Sequence, residues 1–144
     1  MEKTASAHWS GDIRHGQGTI STDTGVLREV PYDFNSRFGH GRGTSPEELI
    51  AAAHASCFSM ALSLGLGDAG FTADSIDTRA AVTLIEDGDR FSITAVALRC
   101  NARVPDIDEA TFERIAQATR QDCPVSRVLV AKISLEARLE REPR

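Results

Sequence analysis

A chain of 144 residues is long enough to build one hydrophobic core without disulfide staples, and 41% hydrophobic with 26% charged residues excludes a disordered or fibrous class. The formal net charge of -5 offers no basic footprint for nucleic acid or for an anionic membrane surface. The opening MEKTASAHWSGDIRHG has no apolar h-region, and no run approaches the roughly 18 apolar residues of a membrane span, so a cytoplasmic protein with no membrane partner is expected.

In chain order, TASAHWS, QGTISTD and GVLREVPYDF read as short strands of a meander, with Gly11-Asp12 and Asp23-Thr24-Gly25 at the turns. The glycine-rich NSRFGHGRGT supports neither helix nor central strand and is expected to be a flexible loop carrying Arg37 and Arg42. A helix then starts sharply. Ser45 suits the N-cap, Pro46 the first helical position, and Glu48 completes a Ser-x-x-Glu capping box. It is predicted to run to about Leu64, where GLGDAGF supplies glycines for a stop. Leu49, Ala53, Cys57, Met60, Ala61 and Leu64 form its apolar stripe, yet Ile50, Ala52, Phe58 and Leu62 leave little of the remaining circumference polar. A helix wrapped on most sides needs cover on most sides. One sheet covers one face, so a second subunit is expected on the other.

SIDTRAAVTLIED and RFSITAVALRCNARV are predicted to form a long hairpin with Asp87-Gly88 at its tip, and Val96, Leu98, Cys100, Ala102 and Val104 share one face of its second strand. Pro105 ends that strand. Asp108 caps a second helix with Phe112, Ile115, Ala116 and Thr119 at helical spacing, stopping near RQDCPVSRVL. VAKISLEARLE alternates Ile133, Leu135, Ala137 and Leu139 as a last strand before a charged, frayed end. Strands, helix, strands, helix, strand argue for an α+β fold with a largely antiparallel sheet, in a single domain over 1–144.

Three cysteines are too few and too widely spaced for a secreted disulfide scaffold, so in a reducing compartment they are packing or chemistry. A lone cysteine in an apolar row is most often packing, which describes Cys100 and, taken alone, Cys57. Cys123 directly precedes Pro124, so its sulfur is expected to face the free amides of a short helix starting there. Helix N-termini lower thiol pKa, which ranks Cys123 as the more reactive thiol on local grounds, although Asp122 opposes this. Catalysis by thiols would need two that meet and a cation to hold one as thiolate, for which Arg37 and Arg42 are candidates. Glu47 and Glu48 head the first helix, where complementing its dipole suffices for both, and one of them could instead orient an arginine. His54, three residues before Cys57, is a candidate base or metal ligand, though His-x-x-Cys without a second tight pair is a weak zinc signal.

SPEELIAAAHASCFSMAL, followed by CPVSRVL, with PYDFNSRF upstream and RVPDIDEATFERIA before the second cysteine, resembles the osmotically inducible protein C (OsmC) family, sister of the organic hydroperoxide resistance (Ohr) proteins. The likeness runs over nearly the whole chain. Ser45 stands where the family often has asparagine, and both residues cap helices. The resemblance implies an OsmC-like fold, with antiparallel sheets packed around a long central helix and a second helix in an intertwined homodimer. It implies reduction of organic and inorganic peroxides in oxidative or osmotic stress, without metal or prosthetic group.

It also implies roles. Cys57 becomes the peroxidatic thiol and Cys123 the resolving thiol, reversing the local ranking. Arg37 matches the arginine of the SRF motif that sits on the thiolate, and Glu47 the acidic residue of PEEL. Arg14 is a rival, since the sister group uses an arginine from that region. A Cys57 thiolate would attack the distal peroxide oxygen, release alcohol or water, and leave a sulfenic acid that condenses with Cys123 to a disulfide. A small-molecule or lipoyl-type dithiol would then reduce it. Phe58, Met60 and Leu64 are expected to favour organic hydroperoxides over hydrogen peroxide. Ten residues separate Glu47 from Cys57, about 15 Å along one helix, which a glutamate side chain cannot span, so Glu47 at the thiolate needs either a sharply bent helix or a carboxylate from the other subunit, and the second is expected. The alternative reading is a small-ligand or metal-binding module using His54, Cys57 and Cys123, and a third is a structural dimer with inert thiols.

Overall fold

A computed structural model describes residues 1–141. The expected frayed end lies, from residue 142 on, outside the described residues. The chain divides into two compact units, Met1–Leu49 and the remainder from Ile50.

The first unit is the meander read from the sequence: β1 (Ala5–Ser10), β2 (Gln17–Thr22) and β3 (Val30–Asp33) pair antiparallel in that order. The segment expected to be a flexible loop begins instead as a short helix, α1 (Phe34–Phe38). Asp33 caps it, accepting from the Ser36 amide at 2.6 Å, while the Ser36 hydroxyl accepts from the Asp33 amide at 2.8 Å. Five residues are too few to show a helical period, but this reciprocal cap holds one turn. The glycines beyond are pinned as well. Thr44 N–H donates to Pro31 O at 3.0 Å, and at Gly43 (φ 130) a side chain would meet that same carbonyl at 2.5 Å, so only glycine lets the chain turn back onto β3.

From this unit α2 (Pro46–Asp68) sets out. Ser45 Oγ accepts from the Glu48 amide at 3.1 Å, as expected of the cap, but the Glu48 carboxylate takes the Thr44 hydroxyl at 2.7 Å rather than closing the box. The helix passes the expected stop at Leu64 and ends at Asp68, with Gly70 (φ 88) turning the chain and Phe71 N–H reaching back to Leu66 O. Gly65 serves packing, not termination: a Cβ there would press within 3.2 Å of Ile115. At 23 residues α2 is apolar and long enough to cross a membrane by length and composition, contrary to the expectation that no run approaches this.

In the second unit β4 (Ser75–Asp87) and β5 (Arg90–Arg103) form the expected hairpin, with a bulge between Thr83 and Leu84. α3 (Glu109–Asp122) and α4 (Pro124–Val128) follow, then β6 (Lys132–Glu140). β6 departs from the antiparallel expectation. It lies parallel to β5, pairing Leu98 with Leu135 and Cys100 with Ala137. A parallel pair needs a crossover, and the two helices supply it.

Phe58, Leu62 and Leu66 of α2, Val96, Leu98, Cys100 and Ala102 of β5, and Phe112, Ile115 and Ala116 of α3 form the core. Each large side chain buried there contributes about 1.5–3 kcal/mol. The face of α2 that enters the core is therefore His54, Phe58, Leu62 and Leu66, at spacing four. Of the buried stripe read from the sequence, Met60 and Leu64 instead face outward, 76% and 67% exposed, and Cys57 lies at the edge of the core. A helix apolar all round has no phase from which to choose a face.

Candidate active site

The four residues implied for catalysis fall into two pairs, each joined within its own unit. In the second, Cys57 of α2 and Cys123 at the α3–α4 junction are free thiols near disulfide distance and hydrogen-bonded to each other. Their exposure differs. Cys57 is half-buried while Cys123 is 1% exposed, so Cys57 is the sulfur that a solute in solution reaches first.

The short helix expected after Cys123 forms, with Cys123 as N-cap and Pro124 in the first turn. Its amides do not serve Cys123, whose side chain makes no capping bond. The Val125 amide donates instead to the Cys57 sulfur. Local reasoning thus found the right helix end and assigned it to the wrong thiol, because a cap side chain and its own helix amides are adjacent in sequence while Cys57 reaches them only through tertiary packing. Burial, then the hydrogen bond that the Cys57 thiol donates to Cys123, push the Cys57 thiol up, and the Val125 amide pulls the other way. Some added positive charge is needed to make the sulfur a nucleophile at neutral pH.

His54, one turn before Cys57, is fully buried, with Nε2 2.8 Å from Ser126 Oγ and Nδ1 without a partner. Burial holds its pKa below the usual histidine value. Among the described residues no group of three His, Cys, Asp or Glu side chains is placed to hold a metal, so the metal-binding form of the alternative reading has no donor set. Cys100 is buried in β5 against the Thr78 hydroxyl, a packing residue as read from its strand alternation.

In the first unit Arg37, in the last turn of α1, grips Glu47 in the first turn of α2. Nη2 lies 2.7 Å from Oε1, and Nε lies 3.2 Å from each carboxylate oxygen. Glu47 is nearly enclosed while a third of Arg37 remains open, so the guanidinium is oriented by the carboxylate and still presents donors outward. Arg14 lies over the Phe34 ring, 5.5 Å from its centroid. Arg37 also borders a cleft of about 240 Å³ with Trp9, Ile13, Tyr32, Phe34 and Phe38 in its wall. These side chains, missed from the sequence, are the apolar surface beside the cation. Phe58, expected to favour apolar substrates, is 0% exposed and belongs to the core.

Comparison with known proteins identifies the family. The profile of the family described as OsmC-like protein matches residues 39–138, which include Glu47, Cys57 and Cys123. Peroxiredoxin OsmC of Escherichia coli (strain K12) is 54% identical over 140 residues, spanning 97% of this chain and 98% of its own. The crystal structure of the organic hydroperoxide resistance protein OhrB of Bacillus subtilis superposes with a TM-score of 0.70 at 27% identity, over 95% of this chain and 98% of that one. An OsmC-like protein from Mycoplasma pneumoniae, at 14% identity, shares the fold with a TM-score of 0.76 over 98% of this chain and 99% of its own. The chain belongs to the OsmC-like protein family.

Proposed function

We propose that this chain is a thiol-dependent peroxidase that reduces organic hydroperoxides, and hydrogen peroxide more slowly, in stress defence. The half-open Cys57 sulfur beside a sealed Cys123 carries the reading, since it is the arrangement a two-thiol peroxidase needs. The Cys57 thiolate attacks the distal oxygen of the hydroperoxide. The O–O bond breaks, the alcohol leaves with a proton, and Cys57 is left as a sulfenic acid. Cys123 then attacks that sulfur, the S–S bond forms, and the hydroxyl departs as water with the Cys123 proton. An external dithiol, a small molecule or a lipoyl-type carrier, returns both cysteines to thiols while itself becoming a disulfide.

The working form is a cytoplasmic homodimer of single-domain protomers, with Arg37 and Glu47 of one protomer serving Cys57 of the other. Three observations support it. Met60 and Leu64 are uncovered on the face of α2 beside Cys57. The cation and its carboxylate are already paired within one protomer. And α2 is unbroken, so the ten residues from Glu47 to Cys57 hold them about 15 Å apart along it. The apolar cleft beside Arg37 suits the organic part of a hydroperoxide. Stopped-flow oxidation by cumene hydroperoxide and by hydrogen peroxide, on the native protein and Cys57→Ser, tests the function. Faster reaction of the organic peroxide, lost in the variant, supports it; a Cys57 no faster than free cysteine overturns it.

A further inference from the structure

The side chains of His54 and Ser126 are both buried and meet at 2.8 Å between Nε2 and Oγ. Each lies one turn from a catalytic sulfur on the same element: His54 precedes Cys57 by three residues on α2, and Ser126 follows Cys123 by three at the start of α4. The contact and the sulfur pair are therefore two parallel rungs joining the same two segments.

Five residues of α4 are too few to hold a helix in place by themselves. Something must dock the turn, and an apolar pair would do so without leaving a buried nitrogen orphaned, as His54 Nδ1 is. A directional hydrogen bond retained at that cost specifies position more than it adds stability.

We propose that the His54–Ser126 hydrogen bond is a positioning strut that sets Cys123 for attack on the Cys57 sulfenic acid. This rests on the peroxidase reading above. With the strut intact, α4 holds the resolving thiol at the distance a disulfide requires. With it broken, α4 shifts and the sulfenic acid outlives its normal partner. A second peroxide molecule then oxidises Cys57 to sulfinic acid, losing its own O–O bond and leaving as alcohol. His54 and Ser126 act through the thiols and do not touch the peroxide.

The test separates the two chemical steps. His54→Leu and Ser126→Ala are followed in single turnover with cumene hydroperoxide, reading loss of the Cys57 thiol, appearance of the disulfide, and sulfinic acid by mass spectrometry. Disulfide closure should slow about tenfold or more, since misplacement of a reacting group by about 1 Å costs up to ~100-fold. Thiol loss should change much less, and sulfinic acid should accumulate. His54→Gln, whose amide nitrogen reaches the Nε2 position, should restore closure; combined with Ser126→Ala it should not. Ser126→Ala removes a single oxygen and decides the matter if His54→Leu fails to fold. Disulfide closure at the native rate in Ser126→Ala overturns the strut, as does equal slowing of both steps in every variant. Failure of Cys57 to oxidise in the unmodified protein would instead refute the peroxidase reading.

Discussion

The backbone amide of Val125 donates to the sulfur of Cys57, although the helix to which that amide belongs is capped by Cys123. One short turn thus delivers both the resolving thiol and a stabilising donor to the same sulfur. The donor does not outweigh burial and the neighbouring thiol, so a thiolate there at neutral pH calls for further positive charge.

The proposed order of events follows the difference in exposure between the cysteines. Cys57→Ser should abolish peroxide consumption. Cys123→Ser should allow one turnover and leave Cys57 as sulfenic acid, trapped by dimedone, or as sulfinic acid. Loss of the first oxidation in Cys123→Ser alone would reverse the roles.

Arg37→Met removes the cation that Glu47 orients. The Cys57 thiol should then titrate higher still and its oxidation at neutral pH should slow by about tenfold or more, as expected when an opposite charge is withdrawn from an ionisable group. Thiolate absorbance against pH measures the first and stopped flow the second. An unchanged titration here, with a raised one in Arg14→Ala, would move the role to Arg14.

Glu47→Ala and Cys57→Ser homodimers should each be inactive. After subunit exchange a mixed dimer has one site carrying both defects and one intact, so random mixing should restore about a quarter of the native activity. No recovery, with exchange demonstrated by mass spectrometry, would exclude a carboxylate acting across the interface.

Cys100→Ala should keep full activity and lose about 1 kcal/mol of stability, a small truncation in a packed core. An unfolded cysteine loses its proton near 9.0, while burial holds Cys100 protonated above that. In that window the native state binds more protons than the unfolded state, so the stabilisation is complete below it and falls as pH rises. Urea midpoints of the variant and the parent should therefore converge in alkali. A disulfide through Cys100 after peroxide treatment would refute the packing role.

What could be read from the sequence depended on contrast. Asp108 followed by Phe112, Ile115, Ala116 and Thr119 stands out against a charged face, and α3 has that cap and that buried side. α2 has no polar face, so its cap is legible and its orientation is not: the apolar stripe through Cys57 is not the face that enters the core, which carries Phe58. The alternation of Ile133, Leu135 and Ala137 marks a strand without marking its direction, hence the parallel β6. Cysteine motifs announced both thiols. The Val125 amide stayed hidden because every residue except proline carries one, and only packing decides which amide meets a sulfur.

No apolar side chain before Phe58 is fully buried, so β1, β2 and β3 form a sheet with no interior of its own. Three strands lacking an enclosed face do not persist alone in water. In the homodimer proposed above, completion of the fold and association of protomers become a single event, and the melting temperature should rise with protein concentration. On dilution the specific activity of such a dimer should fall, because in the arrangement proposed above a chain without its mate lacks the cation that serves Cys57. Newly made chains of that dimer would expose the edges of β1 and β3 until they met, so the rate of synthesis would set how quickly the working form accumulates.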